Sequence, residues 1–232
     1  GEMERRPNDF KVIERVPFTL PTNYPVVLDC CVGDEVDILL ADVETTGLDD
    51  DDGITELGLT KLKYSPTLGR ITEIVASGAW FQDPQKPIPA DITELTGITD
   101  DDVRGKIITI DDLQSYLNGN PIVIAHNSSF DRPKIEKFIP FWPRGLRWAC
   151  SASEIDWYKA GLESRKLEFV LFRLGYFYDG HRANIDTNVL GWVFYKRPDL
   201  LKSLVDGINK RSAIIRAFGS PFEIKDTLKA NG

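Results

Sequence analysis

Apolar and polar residues alternate along EVDILLADVET, residues 35–45, which predicts a strand. One face carries Ile38, Leu40, Asp42 and Glu44, and the other carries Leu39, Ala41 and Val43. A turn, GLDDDDG, follows, and then two β-like runs, ITELGLTKLKYS (54–65) and RITEIVASGAWFQ (70–82), which predict a meander. From Pro87 the period changes to short helical pieces with acidic starts. Asp91 and either Asp111 or Thr109 are the expected caps there, with Gly119 as a stop. PIVIAHN (121–127) reads as a short buried strand, residues 128–138 as a helix and residues 146–150 as another strand. Helices are expected over 166–174, ending at Gly175, and over 186–195, opened by Asp186. One or two small helices should follow Arg197-Pro198. Ahead of residue 35 the prolines of PFTLPTNYP argue for an extended segment without regular structure. A meander followed by helices interleaved with short strands predicts an α/β fold with a five-stranded mixed sheet.

The chain has 232 residues, 42% of them hydrophobic, enough for one sizeable core. The expected division is an N-terminal extension (1–34), a main domain (35–197) and a C-terminal helical appendage (198–232). No apolar run approaches the ~20 residues of a membrane span, and the start is polar, so neither a membrane nor a secreted protein is expected. Three cysteines, two of them adjacent and none in a CxxC pair, imply neither a disulfide framework nor structural zinc. They point to a reducing, cytoplasmic compartment. Charge is unevenly spread: residues 1–120 carry 10 Lys/Arg against 24 Asp/Glu, and residues 121–232 carry 18 against 12. Phosphate neutralisation alone would call for an overall basic protein, which this is not. The split fits either a metal site with a basic rim or two unrelated solvated faces.

Candidate chemistry sits in three places. Asp42 and Glu44 share one face at the end of an apolar strand, where two unpaired charges are expensive and a bound divalent cation is a natural compensation. A strand end frayed into water explains the same pair. Asp131, in AHNSSFD, falls in the first turn of a helix, where an acid also favours the macrodipole without further purpose; Asn127 or Ser128 there can serve simply as N-cap. GHRANID supplies His181 and Asp186, which read structurally as a loop residue and a helix cap. The chain has two histidines, and both lie in segments that also supply an acid.

Taken in order, DVETTGL, AHNSSFD and GHRANID resemble the three motifs of the DEDDh (DnaQ-like) branch of the DEDD 3′–5′ exonucleases. That branch includes the epsilon proofreading subunits of DNA polymerase III, and the likeness covers roughly residues 35–197. LTGIT (95–99) is similar to a loop of the same family. The resemblance implies a ribonuclease-H-like fold, a five-stranded mixed sheet flanked by helices. It implies that Asp42, Glu44, Asp131 and Asp186 hold two Mg²⁺ or Mn²⁺ ions about 3.5–4 Å apart, with His181 as general base. Nucleoside 5′-monophosphates would leave the 3′ ends of single-stranded DNA or RNA, and any proofreading role would need a DNA polymerase subunit as partner. Substrate contacts implied in the same way are Thr45, Gly47, Leu48, Asp91, Thr96 and Asn127. Thr96 departs from members that have histidine at that place. Arg132, Lys134 and Lys137 follow the second motif and are candidates for tracking phosphates, although a basic helix face is more often simply solvated. The alternative function is a catalytically silent nucleic-acid-binding or polymerase-docking module of the same fold.

Overall fold

The computed structural model describes residues 5–17, 24–208 and 221–230. Its strands are β1 (Glu14–Arg15), β2 (Val26–Val27), β3 (Val36–Thr45), β4 (Ile54–Ser65), β5 (Arg70–Phe81), β6 (Ile122–Ala125), β7 (Trp148–Cys150) and β8 (Tyr176–Phe177). The helices between and after them are α1 (Ala90–Thr96), α2 (Asp100–Val103), α3 (Ile110–Leu117), α4 (Ser128–Phe138), α5 (Ser151–Glu154), α6 (Leu167–Leu174), α7 (Ala183–Lys196) and α8 (Pro198–Gly207). A further short helix, Lys225–Ala230, lies near the C-terminus.

The main sheet runs β2-β5-β4-β3-β6-β7. The β2-β5, β5-β4 and β4-β3 pairs are antiparallel, and β6 and β7 join parallel. Five of these strands are the ones the alternation predicts. The sixth is a correction: Val26–Val27 pairs with β5 through Val26↔Ile74, and a two-residue strand leaves no alternation to read. A second correction is a separate two-stranded parallel sheet, in which Glu14 and Arg15 of the expected extension face Tyr176 and Phe177. Most of PFTLPTNYP lies outside the described residues.

The alternation of β3 becomes two hydrophobic layers. Ile38 and Leu40 pack with Val189, Leu190, Val193 and Phe194 of α7 and with Leu200, Leu201 and Leu204 of α8. Leu39, Ala41 and Val43 pack on the opposite side with Leu57, Leu59, Leu113, Ile135 and Trp142. Ile38, Leu39 and Leu40 are fully buried, each contributing about 1.5–3 kcal/mol by removal of its side chain from water. Asp42 and Glu44 continue the α7 side of the strand beyond the last apolar residue of that face. The helices cap largely as expected: the Thr109 hydroxyl accepts the Asp112 N–H, and α6 ends at Gly175 in the left-handed conformation. Asp91 is not a cap but lies within the first turn of α1.

Helix α7 begins at Ala183, three residues ahead of the expected start, so Asp186 lies inside its first turn and does not open it. The acceptor at this helix start is Glu56 of β4, whose Oε2 takes the Ala183 N–H at 2.9 Å. The helix is tied to the sheet again by a buried hydroxyl network: Thr60 meets Ser77 and Thr187 at 2.9 Å each, and its hydroxyl donates to Asn188 Oδ1 at 3.1 Å. Gly58 sets how closely the two elements approach. A Cβ there would land on the backbone of Ala183 and Asn184, so only glycine lets the helix start lie on β4.

Candidate active site

Three elements bring the acids to one end of the sheet. Strand β3 delivers Asp42 and Glu44, and its pairing with β4 shifts register between Glu44 and Thr45, an irregularity that bends the chain just past the second acid. Strand β6 runs parallel to β3 through Leu40↔Ile124, so its exit turn emerges at the same end and starts α4 there. Asp131, buried in the first turn of α4, accepts the Val43 N–H on Oδ1 at 3.2 Å, a donor that β6 does not reach. Helix α7 brings Asp186; its first residues, Ala183 and Asn184, lie against Gly58, which is paired with Asp42. Carboxylate oxygens of Asp42, Glu44 and Asp186 lie within 4.8 Å of one another. With Asp131, Asn127 and His181 they line a cleft of about 840 Å³.

The cluster is electrostatically unfavourable as it stands. Burial, with Asp131, Asp186, Glu44 and Glu56 nearby, raises the Asp42 carboxyl well above the usual range. Burial and the same acidic neighbours push Glu44 up to about 8. Asp131 is pushed up to about 7, mainly by burial and in spite of three backbone donors. Burial raises Asp186 too, against the hydrogen bond from the Tyr178 hydroxyl at 2.9 Å and the Arg182 N–H at 3.2 Å. Among the described residues, no Lys or Arg forms an ion pair with these four acids. Hard oxygen donors this close, short of positive charge and open to a cleft, fit one or two divalent cations of the Mg²⁺ or Mn²⁺ type. A cation there would displace the protons the cluster otherwise holds.

His181 stands at the mouth with a left-handed backbone, φ 67°, and an exposed side chain. His126 also lines the cleft, but both its ring nitrogens are engaged, Nδ1 with the Ser151 hydroxyl at 2.9 Å and Nε2 with the Arg165 carbonyl at 2.7 Å. The latter contact anchors the backbone of a segment whose Arg165 and Lys166 give the acidic cleft a basic wall.

Of the other expected contacts, Asn127 lines the cleft, whereas Thr45, Gly47, Leu48, Asp91 and Thr96 are not among its walls. Thr45 donates its hydroxyl to the Gly47 carbonyl at 2.6 Å, shaping the turn after Glu44. Leu48 is 84% exposed. Asp91 is exposed on α1, and the buried Thr96 spends its hydroxyl on the Ile92 carbonyl and the Ile98 N–H. Lys134 and Lys137 do not face the cleft as free cations. Lys134 donates to the carbonyls of Asp49 and Asp52, and Lys137 to the Asp50 carbonyl and the Asp51 carboxylate. Arg132 pairs with Glu136 one turn along at 2.8 Å.

Among the residues at the site that escaped the sequence reading are Glu56, Gly58, Tyr178 and Arg182. Of these, Gly58 had a local signal, a glycine inside a strand, which marks a close backbone approach. The other three act across register and between distant segments.

Residues 39–139 match the exonuclease family model RNase_T. Over 145 residues the chain is 35% identical to the DNA polymerase III PolC-type of Clostridium perfringens, covering 59% of this chain and 9% of that one. It is 39% identical over 102 residues to the Bacillus subtilis counterpart, covering 42% and 6%. The chain thus spans less than a tenth of the length of these two relatives. Its fold is similar to the nuclease domain of 3′hExo, a DEDDh family member solved bound to rAMP, with a TM-score of 0.56 at 19% identity over 79% of this chain and 99% of that one. It is also similar to the metal-free form of the E. coli ExoI–ssDNA complex, with a TM-score of 0.56 at 16% identity over 74% and 42%. Residues 39–139, which hold the first two acidic motifs, thus carry a likeness to the RNase_T exonucleases, and the fold around them is similar to that of solved exonucleases.

Proposed function

We propose that this chain is a metal-dependent exonuclease that removes nucleotides one at a time from single-stranded 3′ ends of DNA. The observation that carries the reading is the set of close, uncompensated carboxylates of Asp42, Glu44 and Asp186, with Asp131 beside them. Two Mg²⁺ or Mn²⁺ ions held by these four residues would supply charge neutralisation and a water acidic enough to attack at neutral pH. His181, exposed at the cleft on a left-handed backbone, takes the proton of that water as its oxygen bonds to the terminal phosphorus. The bond from that phosphorus to the 3′ oxygen of the preceding nucleotide breaks, and the freed oxygen takes a proton from solvent. The products are a nucleoside 5′-monophosphate and a strand with a new 3′-hydroxyl. Arg165 and Lys166 meet the phosphates of the incoming strand, Asn127 its sugar–phosphate backbone, and Leu48 with the turn at 45–48 the terminal base.

DNA is preferred over RNA in this reading because the curated relatives are DNA polymerases by name, and the same names support a role beside a polymerase subunit. The test uses matched 5′-labelled DNA and RNA strands, with and without a 3′-terminal phosphate. The expected result is a ladder shortening from the 3′ end, faster on DNA and suppressed by the phosphate. Equal or faster loss of RNA would move the substrate to RNA, and shortening that ignores the 3′ block would overturn the polarity.

A further inference from the structure

We propose that Glu56 and Arg182 form a positioning pair that holds His181 in place over the acid cluster; the role rests on reading His181 as the base. Glu56 sits directly across from Glu44 in the β3–β4 register, with a side chain only 2% exposed. A second acid opposite Glu44 is unfavourable by itself, since like charges face each other across two strands. Its carboxylate is committed to the helix start, because both of its oxygens accept hydrogen bonds there. Oε1 accepts from Arg182 Nη2 at 2.6 Å, and Oε2 accepts from Arg182 Nε at 3.0 Å and from the Ala183 N–H at 2.9 Å. The guanidinium also lies 5.6 Å from the Phe81 ring centre, which further fixes its plane.

This anchor bears on the histidine through the backbone. His181 has φ 67°, a conformation that a non-glycine residue keeps when its neighbours are held on both sides. On its C-terminal side the next two residues are pinned: Arg182 by Glu56 through the side chain and by Asp186 through its N–H, and Ala183 by Glu56. On its N-terminal side the Tyr178 hydroxyl reaches the same Asp186. Glu56 therefore links the segment carrying the base to the strand pair carrying Asp42 and Glu44. Its charge, paired with Arg182, serves as a fixed point of attachment and leaves the cation site to the other four acids. Losing either partner frees residues 181–183 while leaving the four acids in place.

The experiment measures kcat and KM on single-stranded DNA with Mg²⁺ for Arg182→Gln, Arg182→Lys and Glu56→Gln, each with His181 present and with His181→Ala. Arg182→Gln and Glu56→Gln are expected to lower kcat about a hundredfold, the cost of misplacing a reacting group, with KM near its starting value. Arg182→Lys should recover part of the loss. In the His181→Ala background the same substitutions should cost nothing further, because the residue they act through is gone. A full additional loss in that background would show a general structural role and overturn the proposal. Glu56→Gln keeps the shape of the side chain, so it remains informative where Arg182→Gln fails to fold.

A second readout is independent of turnover. The chain has two histidines, so Mn²⁺ broadening of the His181 ring protons can be followed beside His126. The expected result is strong broadening of His181 in the parent protein and weaker broadening in Arg182→Gln, with His126 unchanged. Undiminished broadening of His181 would overturn the proposal. A parent protein that releases no nucleotide yet loses the Mn²⁺ effect on substitution would defeat the nuclease reading and leave the positioning role standing.

Discussion

Two sets of four acids lie close together in this chain and behave in opposite ways. The residues 49–52 form a surface turn whose charge the protein itself cancels in part: Lys86 pairs with Asp52, Lys137 with Asp51, and Lys134 donates to two backbone carbonyls of the turn. Hydrogen bonds from Lys86, the Asp49 N–H and the Thr46 hydroxyl hold Asp52 down to about 2. Among the described residues, Asp42, Glu44, Asp131 and Asp186 have no such ion pairs, and their carboxyls are raised instead. Acid content alone therefore says little about a metal site. What distinguishes the two clusters is whether the fold supplies the compensating charge or leaves that to a ligand.

The strongest way to break the contrast is to remove one acid from each set. Asp42→Ala should lower nuclease turnover on the order of 10⁴-fold, as expected for a group acting within one catalytic unit, while thermal stability is kept or slightly raised. Asp52→Asn should leave turnover close to the parent value. Comparable losses from both would erase the distinction.

Gly58→Ala tests whether the acid cluster depends on close approach of α7 to β4. The added methyl would meet the backbone of Ala183, displacing Asp186 and His181 together. The expected loss of kcat is about a hundredfold, and Mn²⁺ affinity measured by calorimetry should fall with it. Unchanged metal affinity would mean that the helix start can give way without moving Asp186.

The two clusters should also respond to pH with opposite sign. In metal-free protein, Glu44 at about 8 and Asp131 at about 7 hold protons that the unfolded chain releases near pH 4. The native state then binds more protons between those limits, so this contribution to stability falls as pH rises from about 4 to about 8. Asp52, held to about 2, contributes above its unfolded value near 4, and that contribution is lost as pH falls toward 2. Melting with EDTA should show a lower Tm at pH 8 than at pH 5.5, and Mn²⁺ should raise Tm more at pH 8. A metal-induced shift of equal size at both pH values would argue that the buried acids are not protonated in the free protein.

The smallest effect expected is on the surface turn itself. Lys134→Met removes the buried donor to the carbonyls of Asp49 and Asp52 and should cost about 1–3 kcal/mol of stability, measured by urea unfolding, with turnover within a few-fold of the parent. A collapse of activity would place Lys134 in contact with substrate.

The contrast also marks how far the sequence could be read. The strand ending in Asp42 and Glu44 was legible because the period of two is local, and β4 and β5 follow the expected 54–65 and 70–82 closely. The first turn of α4, with Asp131, was legible for the same reason. Cross-strand register was not: nothing in ITELG shows that Glu56 faces Glu44, or that its partner is Arg182, 126 positions away. The lysines after the second motif looked free to meet phosphates because the turn that claims them lies more than 80 residues earlier. Strands of two residues, β1, β2 and β8, carry no period at all, and only pairing defines them.

The central claim is that the uncompensated acids form a metal-dependent centre that hydrolyses the 3′-terminal phosphodiester bond. The most direct measurement identifies the products formed from single-stranded DNA in Mg²⁺ by chromatography, for the parent protein, the parent with EDTA, and Asp42→Ala. The account predicts nucleoside 5′-monophosphates from the first and none from the other two. Internal fragments, nucleoside 3′-monophosphates, or the same products from Asp42→Ala would contradict it.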